Sequence, residues 1–317
     1  MIAARDLTAL CRRLARALAP PPGPYRPLRI DACAAGWLDN ARAAQLARMN
    51  EVFEAQGDSV RFVDGLDNEK ARSAAVDCVA RELEAAGELT AWRDERYAVA
   101  PEFGAAPWFL VERAAARYFG IHTYGAHVNG VVRDEQGVRM WLARRSDAKS
   151  IDPGMLDNLV GGGIAAGKTI AATVVKESWE EAGIPAPIAC SASPAGTVHI
   201  CRGQPDGLHR ETIFVHDLWL PADFTPAGQD GEVVGHRLVT LPEVARLLAE
   251  DAGPDAITAD ASLVILDFLI RHGHIKPDAP LYETLDAVRH PTGMLQCNIE
   301  GGRLPSASDG QEVPYFR

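Results

Sequence analysis

A chain of 317 residues, 47% hydrophobic and 24% charged, has an ordinary globular profile and room for two domains. Its 32 Lys and Arg against 43 Asp and Glu leave a formal net charge of -11. That balance argues against a general nucleic-acid-binding role, yet leaves room for small anions held beside a divalent cation. No apolar run of about 18 residues occurs, so no helical membrane span is expected.

The six cysteines, at 11, 33, 78, 190, 201 and 297, lie at least eleven residues apart. No CxxC pair results, and they read as buried free thiols of a reducing compartment. The opening stretch MIAARDLTALCRRLARAL lacks the unbroken apolar core of a signal peptide and suits an amphipathic surface helix. A cytoplasmic protein is the expectation.

Residues 4–19 are predicted helical and are stopped by Pro20-Pro21-Pro22-Gly23-Pro24. Short strands at 29–31 and 35–38 precede an Ala-rich helix over 40–48. A helix over 69–86 follows from the spacing of Ala71, Ala75, Val79 and Leu83, with Gly87 as its cap. Residues 107–119 read as another helix, ended by Gly120. Residues 1–122 thus form an α+β accessory domain without a motif of nameable chemistry.

From Thr123 onward strands are predicted at 127–132 and 137–143 around a turn, Arg133 to Gln136. A glycine-rich loop, Gly161 to Gly167, precedes a helix over 169–182, with Gly183 just past its end. Strands follow near 196–201, 211–220 and 233–239, with helices from about Pro242 and over 259–272. The pattern implies an α/β sandwich over 123–285 and a loosely held extension at 286–317, rich in Gly, Ser and Pro.

Glu177, Glu180 and Glu181 share one face of the helix over 169–182. Only Lys176 nearby offsets their repulsion. A hard divalent cation such as Mg²⁺ or Mn²⁺ would offset it better. Such an acidic face alone is usually just solvated, but the glycine loop ahead of it lets backbone groups approach a metal and a phosphate closely.

This stretch resembles the Nudix box, G-x5-E-x7-R-E-U-x-E-E-x-G-U, where U is bulky and apolar. Gly162 matches the first glycine, the glutamates match the three carboxylates, and Gly183-Ile184 match the end. Lys168 replaces the early Glu, Lys176 the Arg, and Ser178 an apolar residue. Met140 to Ser146, Pro153 to Asn158, Asp230 to Val233 and Asp267 to Gly273 are similar to one Nudix branch. That branch carries an extra N-terminal domain of uncharacterised type, in fungi sometimes fused to thiamine pyrophosphokinase. Gly36-Trp37-Leu38 and Phe119-Gly120-Ile121 are similar to that domain.

The resemblance implies an α/β/α sandwich with a mixed sheet, preceded by the smaller accessory domain. It also implies a metal-dependent pyrophosphohydrolase that cleaves a small diphosphate by water attack, with thiamine diphosphate and its oxidised forms as candidates. Glu177 and Glu181 are the leading metal ligands, with Glu180 as ligand or base. Gly162 would lend a carbonyl, and Lys176 would hold a carboxylate or touch phosphate.

Among the other candidates, Arg144, Arg145 and Lys149 form a basic cluster for phosphate. On a strand the two arginines alternate, so one enters the site. Glu232 is either an added base or ligand, or a solvated turn residue. His127 and Asn129 alternate on one strand and line the pocket unless they are structural. His199 and His209 read as structural, and Trp141 and Trp179 as core.

Competing readings are hydrolysis of an ADP-sugar or NADH, an isoprenoid isomerase drawing on Cys190 or Cys201, and a ligand-sensing module. The accessory domain would serve as a homodimer surface or as a lid.

Overall fold

The computed structural model describes residues 2–19, 23–135, 137–250 and 252–290. Helix α1 (Ala4–Ala17) buries Leu7, Leu10 and Leu14, spaced three and four apart along one face. That stripe joins the core of the C-terminal part of the chain, not that of the sheet that follows it in sequence. The helix expected at the surface also buries Arg13, which donates to Leu248 O at 2.9 Å, to Ser262 Oγ at 2.8 Å and to Ile257 O. The alkyl stem thereby crosses the core while the guanidinium satisfies carbonyls left open where a helix ends.

The accessory region then forms a four-stranded mixed sheet. It is built from β1 (Tyr25–Ile30), β2 (Cys33–Asp39), β3 (Phe53–Gln56) and β4 (Ser59–Phe62), in the order β2-β1-β4-β3. Helices α2 (Asn40–Leu46) and α3 (Glu69–Ala85) are capped by the side chains of Asp39 and Asn68. A second, two-stranded sheet pairs β5 (Arg96–Val99) with β6 (Phe109–Glu112).

The helix expected over 107–119 is therefore a strand followed by a single 3-10 turn, Arg113–Ala115. The run Trp108-Phe109-Leu110-Val111 is aromatic and β-branched, and Phe109 and Val111 bury one face against β5. The Glu112 carboxylate then accepts from Arg93 N and Ala114 N and ends the strand.

The C-terminal part is built on a seven-stranded sheet. Its main path runs from β11 (Ser193–Gln204) through β12 (Gly207–Trp219), β7 (His122–Asp134) and β8 (Gly137–Arg145) to β13 (Val233–Thr240). Strand β9 (Leu156–Asn158) adds to β8 and β10 (Val160–Gly163) adds to β7. β12 and β7 run parallel and the other pairs are antiparallel, so the sheet is mixed.

Alternation sorts the side chains onto two faces. Val131, Ile213 and Val215 meet α1, α6 (Leu241–Leu248), α7 (Ala259–Arg271) and α8 (Tyr282–Arg289). Ala126, Val128 and Phe214 meet α4 (Ile170–Ala182) and α5 (Ala186–Ala189). The result is an α/β/α sandwich with a separate N-terminal domain. Helix α8 buries Leu285, so packed chain runs past residue 285 into the stretch expected to be loose. Residues 291–317, with Cys297, lie outside the described residues. Among the described cysteines all are free, but Cys78 and Cys190 are exposed where burial was expected. No described helix is long and apolar enough to cross a membrane.

Candidate active site

Helix α4 has clear sequence-encoded ends. The Thr169 hydroxyl accepts from Ala172 N at 3.1 Å, and Gly183 takes the left-handed conformation at φ 63°. Ile184 N then reaches Ser178 O at 3.0 Å, closing the last turn. Thr173, Val174, Ser178 and Ala182 face the core, which turns Glu177 and Glu181 toward strand β10. Trp179, expected in the core, lies on the opposite side of the helix and is 52% exposed.

The glycines of β10 are what let the helix sit so close. A Cβ on Gly162 would lie 2.5 Å from both Cγ and Cδ of Glu177, and Gly161 N donates to Glu181 Oε2 at 2.8 Å. Any side chain at 162 would displace the Glu177 carboxylate. Burial pushes the Glu181 carboxyl well above the usual range, and the Gly161 N–H only partly offsets this. Burial also raises Glu177, against the pull of Lys176.

Lys176 Nζ donates to Glu177 Oε1 at 2.8 Å and to Glu180 Oε2 at 2.6 Å. It therefore holds carboxylates in place. Two carboxyl groups raised by burial, with a third beside them and only Lys176 to offset their charge, form a donor set that fits a hard divalent cation. Glu177, Glu180, Glu181 and the Gly162 carbonyl are the groups that would hold it.

Beside the glycine strand lies a cavity of about 220 Å³ walled by both domains. Its C-terminal-part residues include His127, Arg145, Lys149, Asp157 and Gly161 to Gly163, and its N-terminal-domain residues include Arg93, Tyr97, Arg113 and Arg117. The glutamates do not line it. Gly162 turns its open face to Glu177, whereas Gly161 and Gly163 turn theirs to His127 and Tyr97.

The strand alternation anticipated for the arginines holds. Arg145 lines the cavity, fixed by Asp157 Oδ2 at 2.7 Å and by the carbonyls of Ile151 and Asp152. Arg144 points away, bound to Asp255 and to the carbonyls of Gly154 and Pro254, so it is not a substrate residue in this fold.

Asn129 is also removed from the site. It is fully buried, donating to Asp217 Oδ1 at 3.1 Å and accepting from Asn158 at 3.2 Å. Glu232 is no metal ligand in this arrangement, because its carboxylate pairs with Lys149 and with Arg93 at 2.8 Å. Cys190 and Cys201, on which an isoprenoid isomerase would draw, do not line this cavity.

His209, read as structural, meets Glu211 and Asp260 in the cavity wall, with ligand-type atoms all within 4.8 Å of one another. Arg202 donates to Asp260 at 2.9 Å and to His209 at 3.4 Å, so this cluster carries its own cation. Tyr97, Arg113 and Asp260 carried no local signal in the sequence, since three separate elements bring them together.

A family model described as "NUDIX domain" matches residues 123–260, and one described as "Domain of unknown function (DUF4743)" matches residues 12–123. The chain is 37% identical over 262 residues to "Nudix hydrolase 24, chloroplastic" of Arabidopsis thaliana, which covers 82% of this chain and 71% of that protein. It is likewise 37% identical over 269 residues to "Nudix hydrolase 20, chloroplastic" of the same plant, with the same coverage of 82% and 71%. Among solved structures, DR0079 from Deinococcus radiodurans aligns with 55% of this chain and 98% of its own, at 25% identity and a TM-score of 0.39. On the two plant relatives and the glutamate helix seated on its glycine strand, the chain belongs to the Nudix hydrolase family, whose members hydrolyse pyrophosphate bonds.

Proposed function

We propose that this protein is a Mg²⁺- or Mn²⁺-dependent pyrophosphohydrolase that cleaves a small diphosphate by water attack, with thiamine diphosphate or an oxidised form of it as the first candidate. The observation that carries the reading is the seating of Glu177 and Glu181 on the open backbone of Gly161 and Gly162.

A divalent cation bound at these carboxylates supplies charge neutralisation for the phosphates and a lowered pKa for water. The chain's own residues divide the remaining work. Glu177 and Glu181 are fixed against β10 and would hold the cation. Glu180 keeps 34% of its side chain exposed, and Lys176 occupies one of its oxygens, so its other oxygen would accept a proton from water. Lys176 relieves the repulsion between Glu177 and Glu180 that would otherwise splay them. Arg145 and Lys149 set a positive edge on the cavity, which suits the oxygens of a diphosphate. The thiamine candidate rests on the branch resemblance alone.

The test is chromatographic separation of products with Mg²⁺ or Mn²⁺: thiamine diphosphate or its oxidised forms would give the monophosphate and phosphate, and ADP-ribose, NADH and nucleotide sugars would each give two phosphomonoesters. Turnover of one compound, abolished in Glu177→Gln and Glu181→Gln, supports the hydrolase and names its substrate. Binding of a compound without turnover would replace the hydrolase by a ligand-sensing module.

A further inference from the structure

The N-terminal domain reaches the cavity at three points. Ala166 N in the glycine loop donates to Arg96 O on β5 at 2.8 Å, so a backbone bond ties the loop to that domain. Arg93 and Lys149, one from each domain, share the Glu232 carboxylate. Third, the Tyr97 hydroxyl sits 2.0 Å from where a Cβ on Gly163 would lie, so a glycine is required there for the two to fit. These contacts leave the glycine strand between Glu177 on one face and Tyr97 on the other.

Two groups on the N-terminal side of that strand have hydrogen-bonding capacity to spare. Tyr97 is only 7% exposed and lines the cavity, yet its hydroxyl makes no hydrogen bond to the described residues. Burial pushes its phenol up, so at neutral pH it keeps its proton and can donate. Arg113 lies over the Tyr97 ring at 5.8 Å and uses one amino group on Glu95 at 2.6 Å. Its remaining N–H groups face no partner among the described residues. Its positive charge is near enough to act on Glu177. The other cavity cations are already engaged: Arg145 with Asp157, Lys149 and Arg93 with Glu232, Arg117 with Asp206.

We propose that Tyr97 and Arg113 of the N-terminal domain form part of the diphosphate site, donating to phosphate oxygens of a ligand held in the cavity that Gly162 and Gly163 also line. A planar guanidinium beside a buried hydroxyl suits phosphate oxygens. The accessory domain is then a wall of the active site, and the C-terminal domain alone holds an incomplete one. The ligand class rests on the pyrophosphohydrolase reading.

The full chain would be titrated calorimetrically with methylenediphosphonate, a non-hydrolysable diphosphate, in Mn²⁺, and separately with Mn²⁺ alone. Tyr97→Phe keeps the ring packing and should weaken diphosphonate binding roughly 2- to 10-fold, while Arg113→Gln should weaken it by about tenfold or more. Arg113→Lys should recover part of the loss, because charge returns without the fork. Mn²⁺ affinity and the melting temperature should stay near wild type in Tyr97→Phe.

Unchanged diphosphonate binding in both Tyr97→Phe and Arg113→Gln would overturn the proposal. So would a loss of Mn²⁺ affinity that accounts for the whole effect, since the residues would then act only by positioning Glu177. Absence of diphosphonate binding by the wild-type chain would overturn it as well. Arg113-dependent binding in a chain that hydrolyses no compound would uphold the subsite and remove the hydrolase reading.

Discussion

Gly161 N donates to the Glu181 carboxylate at 2.8 Å, fixing a buried acid of helix α4 to the edge of the glycine strand. The bond holds the carboxylate in place, but it does not compensate for burial, which raises the Glu181 pKa. A carboxyl raised in the folded state stabilises the fold below its unfolded pKa, and that contribution is lost as pH rises toward the folded value.

In chelator at pH 7, Glu181→Gln should therefore melt as high as wild type or higher, since the amide oxygen still accepts from Gly161. Added Mn²⁺ should raise the wild-type melting temperature and leave the Gln variant unmoved. A Gln variant that melts well below wild type in chelator would contradict this account.

Gly162→Ala should place its Cβ against Glu177, at 2.5 Å from Cγ without rearrangement. A displacement of about 1 Å at a reacting centre can cost about 100-fold in rate, and the overpacking costs roughly 1–3 kcal/mol in stability. Steady-state kinetics and a denaturant melt would read both, and a variant with wild-type kcat would show that Glu177 is not held by this contact.

Arg144 and Arg145 are adjacent in sequence and opposite in role. Arg145→Gln should raise KM roughly tenfold, because it removes a positive charge from the cavity wall. Arg144→Gln should leave KM near wild type, with a small stability loss from its contacts to Asp255 and two carbonyls. Equal KM effects would mean that the strand presents them differently in solution.

Asp260 titrates far below an ordinary Asp. Burial would raise it, but Arg202, His209 and Arg117 outweigh that and pull it down to about 2. A depressed folded pKa gives stability that is present above the unfolded pKa, near 4, and is lost as pH falls toward 2. At about 1.4 kcal/mol per unit, roughly 2 kcal/mol should disappear across that window. Asp260→Asn should flatten this part of the acid-unfolding curve, and an unchanged acid slope would rule the ion network out as its source.

Helix α1 precedes the accessory sheet yet completes the C-terminal core. Leu10→Ala should destabilise the chain by about 2–5 kcal/mol, and Arg13→Ala by about 1–3 kcal/mol through the carbonyls it leaves open. If neither variant lowers the melting temperature, α1 is not docked in solution as described.

The glutamate helix was legible because its determinants are local. Thr169, the three-and-four spacing of the carboxylates, and Gly183 act within a few residues of one another, and hydrogen-bond geometry fixes their placement. The same locality made the alternation of Arg144 and Arg145 readable. The run over 107–119 misled because cross-strand pairing with β5 overrode its helical appearance.

The sequence by itself determined the acidic helix, the glycine-rich stretch ahead of it and the family resemblance, although that stretch was expected as a loop and opens as strand β10. Tertiary structure alone decided which polar residues share the cavity. Asn129 and Glu232 were spent on buried and interdomain partners, while Tyr97, Arg113, His209 and Asp260 arrived from elements far apart in sequence. The physical reason is that a side chain's role follows from what packs against it. That depends on how strands pair across the sheet and where one domain rests on the other, and neither is written in the residue's own neighbourhood.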